Sequence, residues 1–309
     1  MKKALSLFAS LCIAACCFSG CQAENSADAG SYTFTDDLGR TVTVDSCRRV
    51  AALMGSYADI WQLAGGDLCA AADDAWEDLD LALSPDTVNL GETHTISKDV
   101  LLAADPDFVL ASAKLSGHLE LEQTLESCGI AVAYFDVPDF DSYLHMLRIC
   151  TDLTGQPERY EQYGQAQETQ IGEILARNAD KEPQTVLVLR ASAASIRVKN
   201  SSGTMLGGML QDFGCINIAD QDDSLLENLN IEHILLENPD KIFFVQTGDD
   251  MESVKENVQA MFDENPLWQQ LDAVKNGQVY FMDKRLYNLK PNARFAEAYE
   301  NLENILYGQ

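Results

Sequence analysis

The 309 residues include 49 Asp and Glu against 21 Lys and Arg, a formal charge of −28. So acidic a surface argues against nucleic acid or anionic lipid as a partner of the folded part, since like charges repel across a Debye length. The length admits two domains of ordinary size, and 46% hydrophobic residues suffice for a core in each.

The first elements are not part of the fold. Met1-Lys2-Lys3 gives a positive start, Ala4 to Phe18 an apolar run too short to cross a bilayer comfortably, and Ser19-Gly20 the small residues of a cleavage site. Residues 1–20 therefore read as a secretory signal. Phe18-Ser19-Gly20-Cys21 resembles a bacterial lipobox, which implies that Cys21 is diacylated and becomes the mature N-terminus, with 21–31 as a polar tether. A multiply acylated terminus exceeds what stable anchoring needs. The expected location is the cell envelope, lipid-anchored on the outer face of the cytoplasmic membrane or on a periplasmic side. Cleavage removes Lys2 and Lys3 and takes the charge from −28 to −30. It also removes Cys12, Cys16 and Cys17. The remaining Cys47, Cys69, Cys128, Cys150 and Cys215 are odd in number and lack Cys-x-x-Cys spacing, so neither a metal site nor a disulfide framework is expected.

From there the chain alternates strand and helix. Arg49 to Met54 reads as a strand, Ser56 to Leu63 as a helix ended by Gly65-Gly66, and Leu68 to Ala72 as the next strand. The same grammar restarts at Thr185 to Leu189, a strand, followed by a helix over Thr204 to Phe213, Gly214, and a strand over Cys215 to Ile218. In both halves an acidic residue stands seven positions before a Pro-Asp that opens an apolar run: Asp99 before Pro106-Asp107, and Glu232 before Pro239-Asp240. Each unit predicts a short helix stopped by the proline, then a strand buried on both faces as in a parallel sheet. Between the halves, Tyr160, Tyr163, Ile171, Ile174 and Leu175 recur at helical spacing, which predicts a long helix over 157–181 that braces both lobes and limits hinge motion. Phe295, Tyr299, Leu302, Ile305 and Leu306 predict a closing amphipathic helix. The expectation is an α/β chain of two similar lobes, 32–156 and 182–309, each a mostly parallel sheet flanked by helices, joined by one long backbone helix.

Those residues resemble the helix-braced, bilobed solute-binding proteins of bacterial ABC importers for ferric siderophores, haem and vitamin B12. The likeness runs from Asp36-Asp37-Leu38-Gly39-Arg40, similar to the family's opening Asp-x-x-Gly-Arg hairpin, to its closing segment at Trp268 through Gly277 and Tyr280. It implies the class III solute-binding fold, a permease dimer with its ATPase as partner, and a monomeric receptor without a covalent cofactor. It also implies that Asp99 and Glu232 dock on basic residues of the permease. At Asp99 the chain departs from the family's usual Glu.

Ligand contacts are expected from loops at the strand ends that face the gap. In the first lobe these are Tyr57, Trp76, His94, Lys114 and His118; in the second they are Arg190, Arg197, Lys199, Arg285 and Tyr287. Lys114 with Arg190 suits an anionic ferric chelate of the catecholate kind. His118, His94 and Tyr57, as candidate axial ligands, keep haem as an alternative, and cobalamin is the other. The chain has no Gly-x-Ser-x-Gly, no His-Glu-x-x-His and no phosphate loop, so no enzyme activity is expected, an extracytoplasmic hydrolase being the remaining alternative.

Overall fold

The computed structural model describes residues 31–308 apart from 222, 223, 228 and 249. The expected signal, Cys21 and nearly all of the tether lie outside the described residues. The fold opens on an antiparallel hairpin, β1 (Tyr32–Thr35) and β2 (Thr41–Val44). Its Asp-x-x-Gly-Arg turn closes on itself: Asp36 accepts from the Leu38 and Arg40 amides at 3.1 and 2.9 Å and from Arg40 Nη2 at 2.8 Å. The same guanidinium lies 4.5 Å from the Tyr134 ring centre and pairs with Glu122, which fastens the hairpin to the first lobe.

That lobe is an all-parallel sheet of β3 (Val50–Ala52), β4 (Leu68–Ala71), β5 (Val88–Asn89), β6 (Phe108–Ser112) and β7 (Ala131–Phe135), in the order β5-β4-β3-β6-β7. The second lobe holds β8 (Thr185–Ala191), β9 (Ile196–Lys199), β10 (Ile216–Asn217), β11 (Lys241–Gln246) and β12 (Val279–Met282), ordered β10-β8-β11-β12. One edge of β8 is shared, its first two residues pairing with β10 and its later ones with the antiparallel β9. Without β5 and β9, the orders β4-β3-β6-β7 and β10-β8-β11-β12 coincide. The two lobes are one topology used twice.

Helices Lys98–Ala103 and Ile231–Glu237 precede the two Pro-Asp turns, as their patterns predict. The residues just before the prolines, Asp105 and Asn238, are left-handed at φ 51° and 41°. Asp and Asn are the side chains that tolerate this conformation best after glycine, so each turn reverses the chain tightly into β6 and β11.

Pro157 starts the inter-lobe helix, which runs from Pro157–Tyr160 through a π-helical turn at Glu161–Gln165 into Ala166–Asn178. The turn frees the Tyr163 carbonyl, which accepts from Tyr143 Oη at 2.9 Å and from Gln167 Nε2 at 2.6 Å. Strand alternation then explains the cores. Residues Ala51, Val109 and Tyr134 face helices on the first lobe's outer side, and Leu187, Ile242 and Phe244 do the same in the second. The alternate residues, Ala52, Leu110 and Phe135 in one lobe and Val186, Val188 and Phe243 in the other, belong to a single core that passes through Tyr143, Ile171, Ile174, Phe295 and Leu302. The bracing helix and the closing helix Phe295–Tyr307 thus seal the lobes together.

Candidate functional site

The carboxyl ends of the two sheets face one another. Beyond β12, Lys284 Nζ reaches Asp78 Oδ1 at 2.6 Å and Arg285 Nη2 donates to the Leu79 carbonyl at 2.6 Å, both in the segment that follows β4. Asn292 Nδ2 donates to the Ser56 carbonyl and to Asp59 Oδ2, at 2.9 and 2.8 Å, in the helix Gly55–Leu63 that follows β3. A cleft bounded by strand ends is where open α/β sheets take their ligands.

The second-lobe wall is cationic. Pairing of Arg190 with Arg197 and of Val188 with Lys199 puts Arg190, Arg197 and Lys199 on one face of the β8–β9 hairpin, since paired residues share a face and the strand period is two. Among the described residues none of the three has an ion pair, and Arg190 Nε is buried without a hydrogen-bond partner. Burial lowers the pKa of Arg190. It also lowers that of Lys199, where the positive charges of Arg190 and Arg197 add to the effect. Arg197 is exposed, while Arg190 and Lys199 are partly withdrawn from water and repel one another, a cost that a neighbouring anion would relieve.

The first-lobe wall is acidic. The amide of Gly55 donates to Asp74 Oδ1 at 2.7 Å, and a Cβ on Gly55 would lie 2.6 Å from the Ala75 amide nitrogen, so only glycine lets the loops after β3 and β4 close together. Burial raises the Asp74 carboxyl, against the Gly55 amide, which lowers it. Asp73 and Asp136 follow β4 and β7, Asp78 ends the helix Asp74–Glu77, and Lys114, 71% exposed, pairs with Asp136 at 3.0 Å. Trp76 is half-buried in the helix Asp74–Glu77, and His94 is exposed in a turn.

Three expected ligand contacts are corrected. His118 lies inside the helix Ser116–Leu119, fully buried, its Nδ1 accepting from the Ser112 amide at 3.0 Å and its Nε2 donating to the Thr93 carbonyl at 2.8 Å. Burial pushes its pKa down, which fits a neutral ring with both nitrogens used. Tyr57 is buried and donates to the Phe135 carbonyl at 2.7 Å, while Tyr287 is buried and donates to the Ala298 carbonyl at 2.9 Å. None of these polar atoms faces the gap. Sequence reasoning also missed Lys290, whose ammonium lies 5.8 Å above the Tyr57 ring. Nothing in Asn288-Leu289-Lys290-Pro291 announces that the strap after β12 folds back on the first lobe.

Asp99 and Glu232 are exposed in the first turns of Lys98–Ala103 and Ile231–Glu237. Each helix runs antiparallel to the strand after it, so its first turn lies at the carboxyl end of its sheet. The two carboxylates therefore occupy equivalent places on the cleft side of each lobe. Both also suit the positive end of a helix dipole.

Known proteins share this architecture. A siderophore-binding protein, BauB, solved with ferric iron and two acinetobactin molecules, superposes with a TM-score of 0.73 at 19% identity over 90% of this chain and 99% of its own. An ABC transporter substrate-binding protein from Listeria monocytogenes gives 0.70 at 21% identity over 84% and 99%. In sequence, the Fe(3+)-citrate-binding protein YfmC of Bacillus subtilis is 25% identical over 298 residues, 92% of this chain and 90% of that protein. The high-affinity heme uptake protein IsdE of Staphylococcus aureus is 26% identical over 174 residues, 55% of this chain and 59% of that protein. The periplasmic binding protein family model matches residues 50–286, and the chain belongs to that family.

Proposed function

We propose that the protein is the extracytoplasmic receptor of an ABC importer and captures an anionic ferric chelate of the siderophore type between its lobes. The observation that carries the reading is the unpaired cluster of Arg190, Arg197 and Lys199 beside the cleft, with the orphaned Arg190 Nε. A chelate with carboxylate or catecholate oxygens supplies the anionic acceptors these donors lack. The B. subtilis relative named for Fe(3+)-citrate is consistent with it. Asp99 and Glu232 dock the lobes on the permease, Cys21 carries the lipid anchor, and the partner ATPase, not this chain, drives transport.

Haem is the second reading, supported by the likeness to IsdE. It is weakened here because His118 and Tyr57, two of the three expected axial ligands, are engaged inside the first lobe. The test is a titration of the lipid-free chain with ferric citrate, a ferric tris-catecholate, a neutral ferric hydroxamate, haemin and cobalamin, followed by tryptophan fluorescence. Saturable submicromolar quenching by an anionic chelate is expected, and a response to haemin alone would replace this reading.

A further inference from the structure

We infer that Lys290 is a second anion anchor, on the first-lobe side of the cleft, so that the ligand is a chelate whose anionic oxygens point toward both walls. The inference rests on the reading of the cleft as a receptor for an anionic chelate. Its ground is the strap that follows β12. Lys284, Arg285 and Asn292 tie this strap to the first lobe by bonds of 2.6, 2.6 and 2.8 Å. Lys290, between them, makes no hydrogen bond or ion pair among the described residues, and its ammonium lies 5.8 Å from the centre of the Tyr57 ring. It lines a cavity of about 140 Å³ at the lobe junction with Asp59, Leu79, Leu81 and Arg285. The carboxylates of Asp136 and Asp74 act on it through space without reaching it, and Asp136 is already held by Lys114 at 3.0 Å.

Lys290 is half-buried, and the partial loss of water around its ammonium lowers its pKa; an anion beside it would offset that cost. In addition, Asp73 and Asp74 follow β4 closely and Asp136 directly follows β7. An anion seated there faces carboxylates on that side unless a cation stands between, and Lys290, brought in from the second lobe's strap, is placed to do so.

The test compares wild type with Lys290→Met, Lys290→Arg and Arg190→Gln, using ferric citrate and a ferric tris-catecholate as anionic probes and a neutral ferric hydroxamate as control. Thermal unfolding of each variant checks that the fold is retained. Lys290→Met is expected to weaken the tightest anionic probe about tenfold or more, and Lys290→Arg to stay near wild type, because a charge-assisted contact is lost in one and kept in the other. If Arg190→Gln weakens the anionic probe while Lys290→Met binds it like wild type, the anchor is overturned and the receptor reading stands. If wild type binds neither anionic probe, both are overturned. Should Lys290→Met unfold, the Lys290→Arg variant carries the decision: weakening by Arg to the level of Arg190→Gln overturns the anchor, because a charge-based role tolerates guanidinium.

Discussion

Asp107 and Asp240 make the same clasp in the two lobes. Each gives its amide to the carbonyl of the residue at the head of its lobe's central strand, Arg49 and Thr185, at 2.9 Å in both cases. Each carboxylate takes the amide of that residue in return, at 3.0 and 2.8 Å. The Pro-Asp pair therefore recurs because the proline ends the helix and the aspartate fixes where the next strand starts against the central one.

Removing either clasp is expected to destabilise the chain without touching ligand affinity. Asp107→Ala strands the Arg48 and Arg49 amides and Ser46 Oγ, and Asp240→Ala strands the Thr185 amide and hydroxyl. A loss of about 0.5–1.5 kcal/mol in each, measured by urea unfolding, follows from the lost bonds, since water can reach most of the freed donors. The two losses should add, since the sites share no partner. Unfolding midpoints equal to wild type would show the clasps to be incidental.

The cation cluster predicts a trade of stability against binding. Replacing Arg190 with Met removes a buried guanidinium nitrogen that has no partner, so the ligand-free protein should gain on the order of 1 kcal/mol. The same variant should bind an anionic chelate at least tenfold more weakly. Calorimetric unfolding and titration of one sample check both halves, and a variant that binds normally removes Arg190 from the site.

Charge reversal on the two lobes should separate docking from binding. Asp99→Lys with Glu232→Lys leaves the cleft untouched, because both side chains are exposed on first helical turns. Ligand affinity is therefore expected to match wild type, while stimulation of the importer's ATPase in vesicles is lost. Undiminished stimulation by the double variant would sink the docking assignment.

Acidity should strengthen one partly exposed contact, that of Asp212 with Tyr299. Burial raises the Asp212 carboxyl, the Tyr299 hydroxyl lowers it, and Asp141 and Asp139 raise it further, with a net shift upward. A carboxyl with a raised folded pKa contributes stability below its unfolded value and loses it as pH climbs through the folded one. Asp212→Asn is therefore expected to melt slightly above wild type at neutral pH, solvent screening keeping the gain small. The two should converge below the ordinary carboxylate range near ~3.9. Thermal scans across that range decide it, and a gap that persists in acid contradicts the account.

Most of the architecture is legible in the residues. Apolar runs between glycine and proline stops specify the strand and helix order in both lobes, and the spacing of Tyr160, Ile171 and Ile174 specifies the bracing helix, because these are local signals. The π-turn at Glu161–Gln165 has no such signal; it arises where Gly164 meets Leu144, a tertiary contact at 3.0 Å from a would-be Cβ. The site is legible in part. Arg190 stands out because it follows the apolar run from Val186 to Leu189, and it proves to be the penultimate residue of β8. His118 and Tyr57 sit at the positions a cleft loop would offer, yet carbonyls at Thr93 and Phe135, distant in sequence, draw them inward. Lys290 depends on a strap whose path only the packed lobes define.

The core that runs unbroken from Ala52 through Ile174 to Val188 has a mechanical meaning. Jaws that share one hydrophobic seam cannot swing widely without wetting it, so little elastic energy is stored when cargo seats. The dwell time of a bound molecule is then a property of the walls, of their charges and their fit. A receptor built this way is expected to need an outside grip on both halves to unload.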